Sequence, residues 1–257
     1  MDIYQHFRKE ERPFIDQVLS WREDVTFKYQ RKLSDFLNPR EQMIVNAVMG
    51  NTSDLVYGME GGAETSERKR AIIAPEYEMI EKDDYQITLL EASYPDKFVT
   101  LEHRDVLGAF MSLGIRREKV GDLVVQDGTI QMTVASEISD YIKMNLTGIK
   151  KSTIDFQEKP LTDLMESREK WITRETTVSS LRLDVIVKEI YGMSRKKASM
   201  FIEGGHVKVN FRTVEDTSFS LEPGDLISLR GKGRSRLDEV TGQTKKEKYK
   251  IMTAKLN

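Results

Sequence analysis

Cations in the last third of the chain are placed where they could hold a phosphate. Ser194 is a helix-capping residue type, so Arg195, Lys196 and Lys197 occupy the first turn of a predicted helix. The helix dipole favours anions at that end. Cations set against it make sense if an anion such as phosphate docks on them and on the first-turn N–H groups. A second group, Gly231-Lys232-Gly233-Arg234-Ser235-Arg236, reads as a flexible loop whose cations can follow a phosphate backbone. Its spacing fits neither a Walker loop nor a dinucleotide fingerprint.

Other chemistries are excluded or weak. The 257 residues include no cysteine, which removes disulfides, thiolate metal sites and Cys nucleophiles. His6 and His103 have no His-x-x-x-His partner, so zinc is not expected, and neither is any other cofactor. His103-Arg104-Asp105 imitates a kinase catalytic loop, but Phe110 stands where Asn is needed. No apolar run is long enough to span a bilayer. Residues Met1–His6 lack the basic start and apolar core of a signal peptide, so a cytoplasmic protein is expected. The net charge of −2 is misleading on its own. Residues 1–180 carry −8 and residues 181–257 carry +6, an asymmetry that points to a basic module able to meet nucleic acid.

The elements that must position these residues suggest an α+β chain. Residues 1–79 read as a mixed region: helical through residue 50, with Asn38-Pro39 as a helix start, then strands at 54–59 and 70–74. Residues 80–160 read as βαββαβ, a ferredoxin-like unit in the order of RNA-recognition motifs. Asp127-Gly128 is its hairpin turn, and residues 152–157 its last strand. Its candidate RNP1 strand, Ile130 to Val134, has no aromatic on which to stack a base. Residues 161–178 read as a linker. Residues 179–257 read as a small α+β module. A helix capped by Ser180 carries Leu183, Ile186, Val187 and Ile190 as its stripe, and a second helix carries Ala198, Phe201 and Ile202. Strands follow at 206–210, 226–230 and 249–254.

The ordered set Leu181-Arg182-Leu183-Asp184, Ser194-Arg195, Gly205-His206-Val207-Lys208-Val209-Asn210 and Gly224-Asp225 resembles the S4 RNA-binding domain. One departure is Phe211, where that family usually has Gly. The resemblance implies that Arg182, Ser194, Arg195, Lys196, Lys208, Asn210 and Arg212 lie on or near an RNA surface. An acidic N-terminal part, a ferredoxin-like middle and an S4-type end closing on Arg230-Gly231-Lys232-Gly233-Arg234 is similar to the YlmH family of bacterial S4-domain proteins. That implies a non-enzymatic RNA-binding protein on the large ribosomal subunit. Ribosomal RNA and tRNA would be its partners, in rescue or quality control of stalled translation. Two alternatives stand beside it: an RNA-modifying enzyme of the pseudouridine synthase or methyltransferase type, and an adaptor for cell-division proteins.

Overall fold

A computed structural model describes residues 3–50, 54–166 and 170–256. The chain is α+β and divides into two compact units, residues 1–167 and 168–257.

The first unit starts with α1 (Arg12–Lys28), with Pro13 in its first turn. A strand β1 (Lys32–Leu37) follows, within the stretch expected to be helical throughout. It forms because Lys32 and Leu33 pair with Ile73 and Ile72, a long-range partner that local spacing does not reveal. Helix α2 (Pro39–Met49) begins as expected: the Asn38 side chain accepts from the Arg40 and Glu41 N–H groups, and Glu41 accepts from the Asn38 N–H. Strands β2 (Leu55–Glu60) and β3 (Lys69–Pro75) complete a sheet ordered β1-β3-β2. Ile15, Val18, Ile44 and Val48 pack the helices on this sheet.

The middle of the unit has strands β4 (Ile87–Ser93), β5 (Val120–Gln126) and β6 (Thr129–Ala135), with helices α3 (His103–Ser112) and α4 (Ser139–Asn145). Asp127 and Gly128 both take positive φ, 50° and 74°, the primed turn that suits a two-residue hairpin. The last strand lies further along than expected. Residues 152–153 form β8, which pairs in a small hairpin with β7 (Gly148–Ile149); the sheet is closed instead by β9 (Gln157–Lys159). The order β5-β6-β4-β9, antiparallel throughout, is the ferredoxin-like arrangement.

Alternate residues of β6 face opposite sides, and both sides are buried. Ile130, Met132 and Val134 meet α3 and α4 in one core. Gln131 and Thr133 face the other way, and that side is closed as well. Gln131 donates to Asp163 O at 2.9 Å and accepts from the Met165 N–H at 2.7 Å. Thr133 accepts from the Asp122 N–H at 3.0 Å. The Asp122 carboxylate in turn accepts the Glu67 and Arg68 N–H groups at 2.7 and 3.0 Å, tying β5 to the start of β3. Burial, reinforced by nearby Arg68, lowers Arg117 to about 10. The face that an RNA-recognition motif leaves open to stack bases is therefore covered here.

In the second unit, residues 171–178, expected as linker, form strand β10 (Trp171–Val178). It is paired along its whole length with β15 (Tyr249–Leu256). Residues 167–169 of that expected linker lie outside the described residues. Helices α5 (Leu183–Tyr191) and α6 (Arg195–Glu203) follow. Then come β11 (Val207–Val209), β12 (Arg212–Thr213), β13 (Leu226–Leu229) and β14 (Gly233–Gln243). The sheet runs β10-β15-β14-β13-β11-β12. The expected stripes of α5 and α6 bury against Val207, Val209, Ile227, Leu229, Leu237 and Ile251.

Close packing around Gly121 makes a stability prediction. A Cβ there would fall 2.4 Å from Thr133 Oγ1 and 2.6 Å from Phe36 Cε1, whereas one at Gly108 would meet nothing within 4 Å. Gly121→Ala should lower the urea midpoint of the first unit by the equivalent of about 1–3 kcal/mol. Gly108→Ala, inside α3, should leave it unchanged or raise it.

Candidate nucleic-acid interface

Asp184 organises the cationic surface of the second unit. It is 2 % exposed, in the first turn of α5. Helix α5 starts at Leu183 with Arg182 as its N-cap, not at Ser180. The reason is that the segment after β12 satisfies the first turn: the Leu183 N–H donates to Phe219 O at 2.8 Å and the Asp184 N–H to Thr217 O at 3.2 Å. The Asp184 carboxylate accepts from Arg195 Nε at 2.7 Å and from Arg182 Nε at 3.2 Å. Burial works against its charge. The hydrogen bonds from Arg195 and Arg182 outweigh that and hold the carboxyl below the usual carboxylate range. Both arginines stay accessible, with side chains 42 % (Arg182) and 57 % (Arg195) exposed. Ser194 caps α6 as expected, accepting the Lys197 N–H at 3.2 Å. Ser194, Lys196 and Lys197 are exposed beside Arg195. Two helix starts and two arginines thus meet at one buried acid, with Lys196 and Lys197 exposed alongside on α6.

The remaining expected residues are distributed differently. Asn210 is turned into the protein: its amide donates to Asp225 Oδ1 at 2.7 Å and accepts the Leu226 N–H at 3.0 Å. Asp225 is itself buried and also accepts the Glu222 N–H. Asn210 and Phe211 form the turn between β11 and β12 with φ of 47° and 70°, so Phe211 adopts the left-handed conformation that Gly would take more cheaply. Arg212 is exposed and pairs with Val209. Lys208 is exposed on the sheet face away from the helices, since its neighbours Val207 and Val209 are in the core. Arg230 and Lys232 are exposed at the turn between β13 and β14.

The stretch 231–236 is a turn only at its start, closed by the Lys232 N–H donating to Leu229 O at 2.9 Å. From Gly233 onward it is strand β14, bonded on both sides, with Ser235 and Leu237 inward and Arg234 and Arg236 on the opposite face. Alternating small and apolar residues let it join the sheet. Asp225 belongs to the ordered motif as a residue type, but its hold on Asn210 depends on the hairpin, and Trp171 falls in the stretch that reads as linker. For Trp171, the β-branched run through Thr173, Thr176, Thr177 and Val178 was the available signal.

Family profiles match residues 10–78 ("YlmH, N-terminal"), 81–163 ("Putative RNA-binding domain in YlmH") and 181–227 ("S4 domain"). "Ribosome-associated protein quality control protein P2" of Bacillus subtilis (strain 168) is 42% identical over 250 residues, 97% of each chain. The chain belongs to the YlmH family. Among other relatives of this YlmH-family chain, small ribosomal subunit protein uS4 of Thermoanaerobacter sp. (strain X514) is 41% identical over 71 residues. That match spans 26% of this chain and 34% of uS4. A solved structure, "Cell division protein ylmH from Streptococcus pneumoniae", is 30% identical with a TM-score of 0.55. It covers 63% of this chain and 99% of its own.

The Asp184 clamp has a pH signature. A carboxyl with a depressed folded-state pKa adds stability above its unfolded pKa, and that stability is lost as pH falls through the folded value. Asp184→Ala should cost about 1–3 kcal/mol at neutral pH. The wild-type and variant urea midpoints should converge as the solution is acidified below the ordinary carboxylate range.

Proposed function

We propose that this YlmH-family chain is a non-enzymatic RNA-binding protein of the ribosome. In this reading it binds ribosomal RNA and tRNA on the large subunit during rescue or quality control of stalled translation. The observation that carries it is the pair Arg182 and Arg195, held by buried Asp184 at two helix starts, with Lys196 and Lys197 exposed alongside. Guanidinium groups fixed in advance suit phosphate oxygens, because little side-chain freedom remains to be lost on docking. The name of the Bacillus subtilis relative supports a ribosomal setting and the quality-control role. A cytoplasmic location goes with that setting.

Replacing Arg182 and Arg195 together with Ala should reduce co-sedimentation with large subunits that hold peptidyl-tRNA. The slope of log affinity against log salt should flatten by ~0.7–0.9 for each phosphate that is no longer neutralised. An unchanged slope would assign phosphate binding to other residues.

A second reading, an adaptor in cell division, is favoured by the description of the Streptococcus pneumoniae structure. It expects the acidic first unit to recover a division protein in a pull-down from lysate, and recovery of none counts against it.

A further inference from the structure

The sheet of the second unit has a face that its helices leave uncovered, and chemistry is gathered there. Residues directly opposite on antiparallel strands share a face. Lys208, Ser228 and Arg234 form one such row across β11, β13 and β14. Leu226, Arg236, Ala254 and Thr173 form the next, across β13, β14, β15 and β10. Trp171, two residues before Thr173, lies on the same side. The Arg236 guanidinium carbon is 5.2 Å from the centre of the Trp171 ring and that of Arg234 5.9 Å, both within cation–π range.

Trp171 is half-buried and is not among the residues of the hydrophobic core. It also lies outside the regions that the family profiles match. Arg236 is 43 % exposed and is anchored by Asp238. Charge along the face alternates in sign: Lys208, Arg234 and Arg236 stand in adjacent rows, Glu175 and Glu239 flank Met252 in the row after, and exposed Lys250 follows between Thr177 and Gly242.

The geometry points to a stacking site for single-stranded RNA on this face, with Trp171 and the planes of Arg234 and Arg236 as the platform. Flat π-faces and guanidinium planes take any base, and cations beside them follow the backbone. This inference rests on the RNA-binding reading above, but it places a second contact on the side of the sheet opposite the Asp184 clamp.

The test uses the full chain carrying Trp21→Phe, so that Trp171 is the sole tryptophan. A short single-stranded oligouridylate should quench its emission, whereas inorganic polyphosphate of equal charge should not. Trp171→Ala in the otherwise unchanged chain should weaken oligouridylate binding on the order of tenfold to a hundredfold, and Trp171→Phe should restore most of it. Replacing Arg182 and Arg195 with Ala should leave the quenching in place. Equal quenching by polyphosphate, or binding of the oligonucleotide without quenching, overturns the stacking site. If large-subunit association persists in that case, the broader reading survives; loss of both in the unsubstituted chain sinks both.

Discussion

A carboxylate withdrawn from water is the constraint around which the second unit is arranged. Asp184 can be buried only because two guanidinium groups complete its hydrogen bonds, one from just before α5 and one from the start of α6. The reverse also holds. Two arginines at two helix starts would repel each other and oppose both dipoles without an anion between them. The acid therefore joins the helices while leaving the outer edges of both guanidinium groups in solvent. Packing of α5 and α6 on the sheet brings these groups together, and the apolar stripes serve the charged surface as much as the core.

The two sheets of the molecule divide their faces in opposite ways. In the first unit, strand β6 is buried on both sides, with Gln131 latched by the backbone of residues 163–165 and Thr133 by Asp122. Stacking bases there would require breaking those bonds and exposing buried side chains. In the second unit, one face receives the helices and the other carries Lys208, Arg234, Arg236 and Trp171. An order of strands shared with RNA-recognition motifs does not by itself tell which face meets solvent, because the covering segments come from elsewhere in the chain.

What could be read from sequence follows the range of the interactions. The Asn38 cap, the Asp127-Gly128 turn and the stripes of α5 and α6 are set within a few residues, and they were legible. Strand β1 depends on β3, and β10 on β15 at the far end of its unit, so local pattern alone places neither in a sheet. The cations of the site were legible as residue types in an ordered motif. The separation of Lys208 from the others was not. Lys208 and Arg195 look alike in sequence, yet the alternation of β11 sends Lys208 to the face away from α6. Asn210, expected at the surface, is spent on Asp225, a partner made near only by the hairpin.

That Asn210–Phe211 turn also bears on how the protein ages. An asparagine followed by glycine is the pair most prone to deamidation, because the next backbone nitrogen is free to attack the side-chain amide and close a succinimide ring. Here the follower is bulky, and the amide is held by Asp225 and by the Leu226 N–H. The left-handed backbone at Phe211 carries a conformational cost. In exchange, the bulk of Phe211 and the held amide both disfavour closure of that ring at the turn that orders the sheet edge.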